Sequence, residues 1–281
     1  MQNYAFFLAI FISLWRLRTS LQMVDFDECV RRGAVGAAGA VPGTLAAHPF
    51  DVLKMRQQVS GSSVSSVINS VRGGRTGVAS VAAFWQGAGA GVAQKVLTRG
   101  PMFLVSEAAT QGVQQATGTS RDRAVALGSA CSGYVTGLCA APAEWAKVQR
   151  GVAGTSAASL LRARGGFTRL HGAGLRNSIF DSTFFSVEHA GRTRGGLPPW
   201  LSYACAAVAA VVLDYPVDVA VKRSMAAPPE ESVAGPLLAT ARLLRTHRWG
   251  VFTGLSSKAA EFSVSYAVTG LCSTYILRVS G

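Results

Sequence analysis

Residues 48–58 read HPFDVLKMRQQ and place a proline, an acid and two bases inside an otherwise apolar part of the chain. The preceding residues carry four glycines three or four positions apart: Gly33, Gly36, Gly39 and Gly43. Small residues at this spacing share one face of a helix, and such a face lets two helices approach closely in lipid. The sequence therefore predicts one long membrane helix from about residue 25 to residue 58.

The same order of proline, acid and lysine returns twice along the chain. Residues 142–149 read PAEWAKVQ, and residues 216–223 read PVDVAVKR. A proline inside a helix lacks the backbone N–H and clashes with the preceding turn, so it bends the helix. We therefore expect three long helices with kinks at Pro49, Pro142 and Pro216.

The composition favours a membrane protein. Charged residues make up 15% of the chain and hydrophobic residues 49%, whereas soluble proteins have about 25% charged residues. No segment runs for about 20 residues without a polar or small residue, which is typical of helices that line a watery cavity.

The net charge of +13 raises the question of a nucleic-acid partner. The basic residues are scattered through apolar segments, and no nucleic-acid-binding motif accompanies them, so we expect no nucleic acid. An anionic lipid surface or an anionic solute in a positive cavity would use the same charge.

Chemistry at a metal or at a nucleophile has no support in the sequence. The five cysteines show no zinc-type spacing and are odd in number, which argues against a disulfide framework and a structural metal. The four histidines lack metal-ligand spacing, and no nucleophile elbow accompanies Ser, His and Asp. We therefore expect no metal and no enzyme activity.

Three larger units follow an N-terminal extension. We assign residues 1–24 to the extension, for which an interfacial anchor, an import element and a misassigned start stay open. Residues 25–115, 116–195 and 196–281 each contain a kinked long helix, a short surface helix and a returning helix. The predicted fold is all-α, with six transmembrane helices in three pseudo-symmetric repeats.

This arrangement resembles the mitochondrial carrier family, whose signature is Pro-x-[Asp/Glu]-x-x-[Lys/Arg]-x-[Lys/Arg], followed by an aromatic-[basic]-Gly element in each repeat. The first copy fits fully, the second has Gln149 at the last basic position, and in the third Lys222 lies one residue late. The resemblance implies a multi-pass carrier of the mitochondrial inner membrane, working by alternating access without a cofactor.

The resemblance also implies two gates. In the matrix gate each acid pairs with the base of the next odd-numbered helix, which gives Asp51 with Lys147, Glu144 with Lys222, and Asp218 with Lys54. Gln58 occupies the position of a brace beneath the first pair. Of the acid–base pairs that the family has in its cytoplasmic gate, this sequence keeps only Glu107 with Arg192.

The family's substrate contacts come from the middle of the even-numbered helices. They correspond here to six residues: Thr98, Arg99, Met102, Arg176, Asn177 and Glu261. Arg99 and Arg176 would hold a carboxylate or a phosphate, or would reach toward the lipid surface. Glu261 would hold an amine, neutralise an arginine or serve the structure. The implied substrate is an organic anion or an amino-acid-like zwitterion, moved by exchange.

Two further expectations concern partners. The aromatic-x-Gly elements, such as residues 85–87, would bind the phosphate of an anionic lipid such as cardiolipin, or would only form helix-starting turns. We expect a monomer that binds a small-molecule substrate and membrane lipid. Because the cytoplasmic gate is depleted, a carrier-fold adaptor or regulator that no longer transports is the alternative function.

Overall fold

The computed structural model describes residues 24–60, 64–85, 88–153, 166–227, 234–247, 252 and 254–279. Residues 1–23, nearly all of the expected extension, lie outside the described residues, so that assignment stays a prediction. Within the described ranges the chain is helical and contains no strand.

Six long helices and several short ones make up the described chain. In chain order they are α1 (Phe26–Ser60), α2 (Val64–Arg72), α3 (Gly77–Ala82), a 3-10 turn (Ala83–Trp85), α4 (Ala88–Thr117), α5 (Arg121–Ala153), α6 (Gly166–Thr193), α7 (Pro199–Ala226), α8 (Pro236–His247) and α9 (Leu255–Val279). The predicted all-α fold is confirmed. The expected surface helices of the first and third repeats correspond to α2 and α8.

The three signature prolines lie in the interiors of α1, α5 and α7. Each precedes the acid and the base of its motif on the same helix, so the three motifs recur at equivalent places in three helices. Their position inside helices is confirmed, whereas the bend at each proline stays a prediction. A further proline, Pro101, lies inside α4.

The long helices form a closed ring. Each packs against two others in the order α1, α4, α5, α6, α7, α9 and back to α1. The short helix α2 packs against α1, and α8 packs against α7 and α6. We call the end of the ring that follows the three signature prolines the proline end, and the opposite end the cavity end.

The glycine row of α1, which consists of Gly33, Gly36, Gly39 and Gly43, packs against two neighbouring helices. A Cβ at Gly36 would come within 2.8 Å of the Phe103 ring of α4, and one at Gly43 within 2.5 Å of the Ser265 carbonyl oxygen of α9. Because only glycine permits these distances, α1 can approach both helices closely. The predicted close approach through small residues is therefore confirmed.

Aromatic side chains fill the interior between α4, α6, α7 and α9. Phe103, Phe180, Phe184, Phe185, Tyr203 and Tyr266 belong to one buried cluster. The rings of Phe184 and Tyr266 have centroids 4.5 Å apart. This cluster separates the charged side chains of the proline end from the cavity end.

Two described helices are long and apolar enough to cross a membrane by length and composition. They are residues 121–142 of α5, with a mean hydropathy of 1.4, and α7, with 1.8. Charged residues inside α1, α4, α6 and α9 lower the hydropathy of those helices, which is why composition alone does not select them.

Candidate functional site

Glu261 of α9 joins two lysines from two other helices. Its carboxylate lies 3.0 Å from Lys54 Nζ of α1 and 3.9 Å from Lys95 Nζ of α4. Both ammonium groups also lie over the ring of Phe262, at 5.7 and 5.1 Å from its centroid. Since Glu261 is buried, with 4% of its surface exposed, its charge depends on these two lysines for compensation.

Arg176 of α6 forms the second centre of charge. Its guanidinium donates to both carboxylate oxygens of Glu144 of α5, at 2.6 and 2.8 Å, and to Asp218 of α7 at 3.3 Å. It also donates to the side-chain oxygen of the adjacent Asn177. The planar guanidinium suits this bidentate geometry, and it links three helices.

Asp218 also accepts from two lysines. Lys258 Nζ of α9 lies 2.7 Å from Asp218 and 3.2 Å from Asp214, and Lys222 Nζ lies 3.0 Å from Asp218 on the same helix. Lys258, Asp214 and Asp218 are all buried. Removing one partner of such a buried pair leaves a charge uncompensated, which costs on the order of 3–5 kcal/mol.

The expected pairs of the matrix gate differ from the observed ones where both side chains are described. Glu144 contacts Arg176 instead of Lys222, and Lys54 contacts Glu261 instead of Asp218. The physical reason is that Arg176 of α6 and Glu261 and Lys258 of α9 lie within ion-pair distance of the motif residues in this conformation. These two pairings are therefore corrected for this conformation.

Other gate residues are less fully described. The side chains of Lys147 and Gln58 lie outside the described residues, so the pair Asp51–Lys147 and the brace stay predictions. Asp51 is half-buried on α1, one turn before Lys54. The function of all these residues as a gate also stays a prediction.

The six expected substrate contacts fall into separate groups. Arg99 donates to the hydroxyls of Thr269 and Ser265 on α9, at 2.9 and 2.7 Å. Its guanidinium lies 4.1 Å from the centroid of the Tyr266 ring, and the Tyr266 hydroxyl in turn approaches Met102 Sδ at 3.8 Å. Tyr266 therefore contacts both Arg99 and Met102.

The remaining expected contacts lie elsewhere. Arg176 and Asn177 lie beside Glu144, and Glu261 lies beside the two lysines. The Thr98 side chain is exposed, with its hydroxyl 3.3 Å from the Lys95 carbonyl oxygen. The expected contacts therefore do not converge on one point in this conformation.

A cavity of about 350 Å³ lies at the cavity end, between α1, α4, α5 and α6. Glu107 and Arg192 both line it, but they do not pair with each other. Glu107 binds Arg121 at 2.8 Å and Arg32 at 3.3 Å, whereas Arg192 binds Glu188 of its own helix at 3.0 Å. The expected cytoplasmic pair is thus not formed here, because the open cavity separates its members.

Several charged residues of the site were missed by sequence reasoning, which followed the signature motifs. Lys95, Asp214 and Lys258 belong to no motif, yet they form part of the buried network. A usable signal was present, because ionisable residues inside apolar membrane helices are rare and mark functional sites.

Residues 26–116, which run from the start of α1 almost to the end of α4, match the family model described as mitochondrial carrier protein. The match supports membership of the mitochondrial carrier family for this part of the chain. The members of this family are transporters, so small-solute transport across a membrane is the activity that the match supports. A comparison with curated proteins gives no match.

The matched range includes only the first of the three expected repeats of the carrier. The helix pairs α5–α6 and α7–α9 each follow the same order of a proline-containing helix and a returning helix. Within the described ranges of the carrier, no group of three or more His, Cys, Asp or Glu side chains could hold a metal ion. The repeat boundaries stay predictions.

Proposed function

We propose that this protein exchanges a small organic anion or an amino-acid-like zwitterion across the mitochondrial inner membrane by alternating access, as a multi-pass carrier. One observation supports this above all. The expected substrate contacts Arg176 and Glu261 are ion-paired with the expected gate residues Glu144, Asp218 and Lys54. A substrate that binds either contact must therefore compete with a gate residue for it.

This competition couples binding to gating. A substrate carboxylate that takes the Arg176 guanidinium releases Glu144, which then becomes free to pair with Lys222. A substrate amine that takes Glu261 releases Lys54 toward Asp218. A ligand changes the balance between two conformations only if it binds them with different affinities. This exchange of partners would give the substrate a different affinity for each conformation.

The charges of the interior support the substrate class. Lys95, Arg99 and Arg176 are cations in the bundle, which suits a carboxylate. Glu261 and Asp218 are anions a short distance away, which suits an amine. An interior that carries both signs favours a small solute with charges of its own over a neutral one.

We also propose a monomer that binds anionic lipid such as cardiolipin at its helix-starting turns. In the first repeat, a hydrogen bond from the Trp85 indole N–H to the Leu45 carbonyl oxygen, at 2.9 Å, ties Trp85 to α1. This contact supports a fixed position for the turn that would bind lipid. Native mass spectrometry from mild detergent is expected to give one protein chain with retained lipid. Loss of all lipid under those conditions would contradict the lipid part.

Exchange assays with the purified chain in liposomes test the transport proposal. We expect counter-exchange with a panel of organic acids and amino acids in the wild type. In the fraction of Arg176→Ala that remains folded, the initial rate should fall about a hundredfold or more, because the substitution removes the bidentate donor. Arg75→Ala, at an exposed turn, is the matched control and should keep the wild-type rate.

Two outcomes would contradict the proposal. If no member of the panel is exchanged by the folded wild type, transport is excluded and the adaptor or regulator alternative gains support. If Arg176→Ala exchanges at the wild-type rate, Arg176 is not a substrate contact.

A further inference from the structure

Two buried carboxylates near Arg176 lack the partners that buried charges require. Asp181 of α6 is 4% exposed and Asp214 of α7 is 2% exposed. Within the described part of the chain, Asp181 makes no hydrogen bond or ion pair. Asp214 binds Lys258 through Oδ2, while its Oδ1 is buried without a donor among the described residues. Such atoms are costly unless a ligand or proton satisfies them.

The neighbouring cations of the protein are already engaged. Asp181 and Asp214 interact electrostatically with each other and with Arg176. However, the Arg176 donors are directed to Glu144, Asn177 and Asp218, and the Lys258 ammonium to Asp214 Oδ2 and Asp218. Among the described residues no donor is therefore left for the free oxygens of Asp181 and Asp214, so a proton or the cationic group of a ligand must satisfy them.

Arg99, which stacks on Tyr266, is a buried cation without an acidic partner among the described residues. Its guanidinium is 3% exposed and binds only neutral hydroxyls, with no acidic side chain in ion-pair distance among the described residues. It lies on the face of the Tyr266 ring at 4.1 Å, and Asp181 acts electrostatically on the same tyrosine. An unpaired cation and an unpaired anion thus lie around one aromatic residue.

The aromatic cluster suits an ammonium group between these charges. Phe180, next to Asp181 in sequence, has its ring centroid 5.4 Å from that of Phe262 and 6.2 Å from that of Tyr266. Aromatic faces attract ammonium groups, most strongly when water is excluded. One helical turn from Asp181, Phe185 lines the cavity of about 350 Å³, so the cavity is the side from which a solute would approach the cluster.

We infer that, in this conformation, in which gate residues hold Arg176 and Glu261, Asp181 and Asp214 bind the ammonium group of the entering solute, while Arg99 binds its carboxylate. This deepens the proposed function and rests on it: among organic anions and zwitterions, it selects a solute that carries both an amine and an acid. Asp214 contributes its free Oδ1 and keeps Lys258 on Oδ2.

The test compares solutes that differ only in the amine. Purified wild-type protein in detergent is heated with one solute at a time. The solutes form four pairs of an amino acid and its deaminated twin: L-aspartate and succinate, L-glutamate and glutarate, L-alanine and propionate, and L-phenylalanine and 3-phenylpropionate. A bound ligand raises the denaturation temperature by mass action. At least one amine-bearing member should raise it at a tenfold lower concentration than its deaminated twin. The same pairs are then used for exchange in liposomes.

Isosteric variants identify the residues responsible. Asp181→Asn and Asp214→Asn should each abolish the tenfold preference for the amine-bearing twin. Asp122→Asn, at the exposed start of α5, is the matched control and should retain it. Two independent variants keep the test valid if one of them fails to fold.

The outcomes separate the two proposals. If deaminated acids bind and exchange as well as their twins in wild type and variants, transport stands and the ammonium site is overturned. It is also overturned if both variants keep the amine preference, or if they change only the pH dependence of exchange, which would assign the carboxylates to a proton. If no solute of either series binds or exchanges, transport itself is overturned.

Discussion

Glu261 holds the ammonium groups of Lys54 and Lys95 inside the bundle at 3.0 and 3.9 Å. A carboxylate between the buried Lys54 and the partly exposed Lys95, which lie on different helices, stabilises the fold only while the charges remain together. If one partner is removed, the others keep the desolvation cost without the Coulombic gain. Under the proposed function a substrate amine competes with these lysines for Glu261, so stability and binding would depend on the same contacts.

A double-mutant cycle tests this pairing. Glu261→Gln is expected to lower the free energy of unfolding by about 3 kcal/mol or more, because it leaves the buried Lys54 ammonium group without its counter-ion. Adding Lys54→Met should cost little more than Glu261→Gln alone, since the pair is already broken. Thermal denaturation in detergent measures both. Asp27→Asn, at an exposed position in the first turn of α1, is the control and should change little. Additive losses would contradict the pairing.

The residue scale also shows where sequence reasoning reached its limit. The acids and lysines of the motifs could be predicted because their spacing is local to one helix. The partner of Glu144 could not, since the choice between Lys222 and Arg176 depends on the lateral distance between helices. Asp214 and Lys258 pair across α7 and α9, and nothing in their local spacing indicates that contact.

At the scale of elements, the helices were more predictable than their contacts. The first helix was expected over residues 25–58 and extends over Phe26–Ser60, because apolar composition and small-residue spacing act within one segment. The glycine row of α1 predicted a close approach between helices but did not identify the neighbours. It contacts two, since Gly33 and Gly36 face α4 whereas Gly39 and Gly43 face α9.

The contact of α5 with α6 allows a sharp test of helix packing. A Cβ at Gly133 would lie 2.5 Å from the Asn177 carbonyl oxygen, so Gly133→Ala must push the two helices apart. We expect a loss of about 1–3 kcal/mol in the free energy of unfolding, measured by thermal denaturation in detergent.

The matched control for this test lies inside another helix. A Cβ at Gly112 of α4 meets nothing within 4 Å, so Gly112→Ala should raise stability by up to about 1 kcal/mol through helix propensity. Equal effects of the two substitutions would show that helix propensity, and not close packing, determines the outcome.

At the scale of the whole molecule, the ring has one open end and one end crossed by ion pairs. The cavity of about 350 Å³ lies at the end lined by Glu107 and Arg192, and the network around Arg176, Asp218 and Glu261 crosses the bundle at the other. In the proposed alternating access, the end that is open here closes, and the end crossed by ion pairs opens. The cavity must therefore close at some point in each cycle.

A disulfide can capture that closure. Thr110 of α4 and Thr193 of α6 both line the cavity, and neither takes part in an ion pair there, so Thr110→Cys with Thr193→Cys leaves the charges unchanged. The background replaces the native cysteines by alanine at Cys29, Cys131, Cys139, Cys205 and Cys272. Two cysteines can bond only when their Cα atoms come within about 7 Å, so oxidation should trap the closed cavity.

We expect oxidation during exchange to stop flux in the double-cysteine variant, and reduction to restore it, because a molecule held closed at one end cannot complete the cycle. Gel mobility reports the disulfide, and exchange of a loaded solute reports flux. Each single-cysteine variant should keep its flux under oxidation. Flux that continues unchanged after complete disulfide formation would show that the cavity end need not reopen, and transport by alternating access through this cavity would then be wrong.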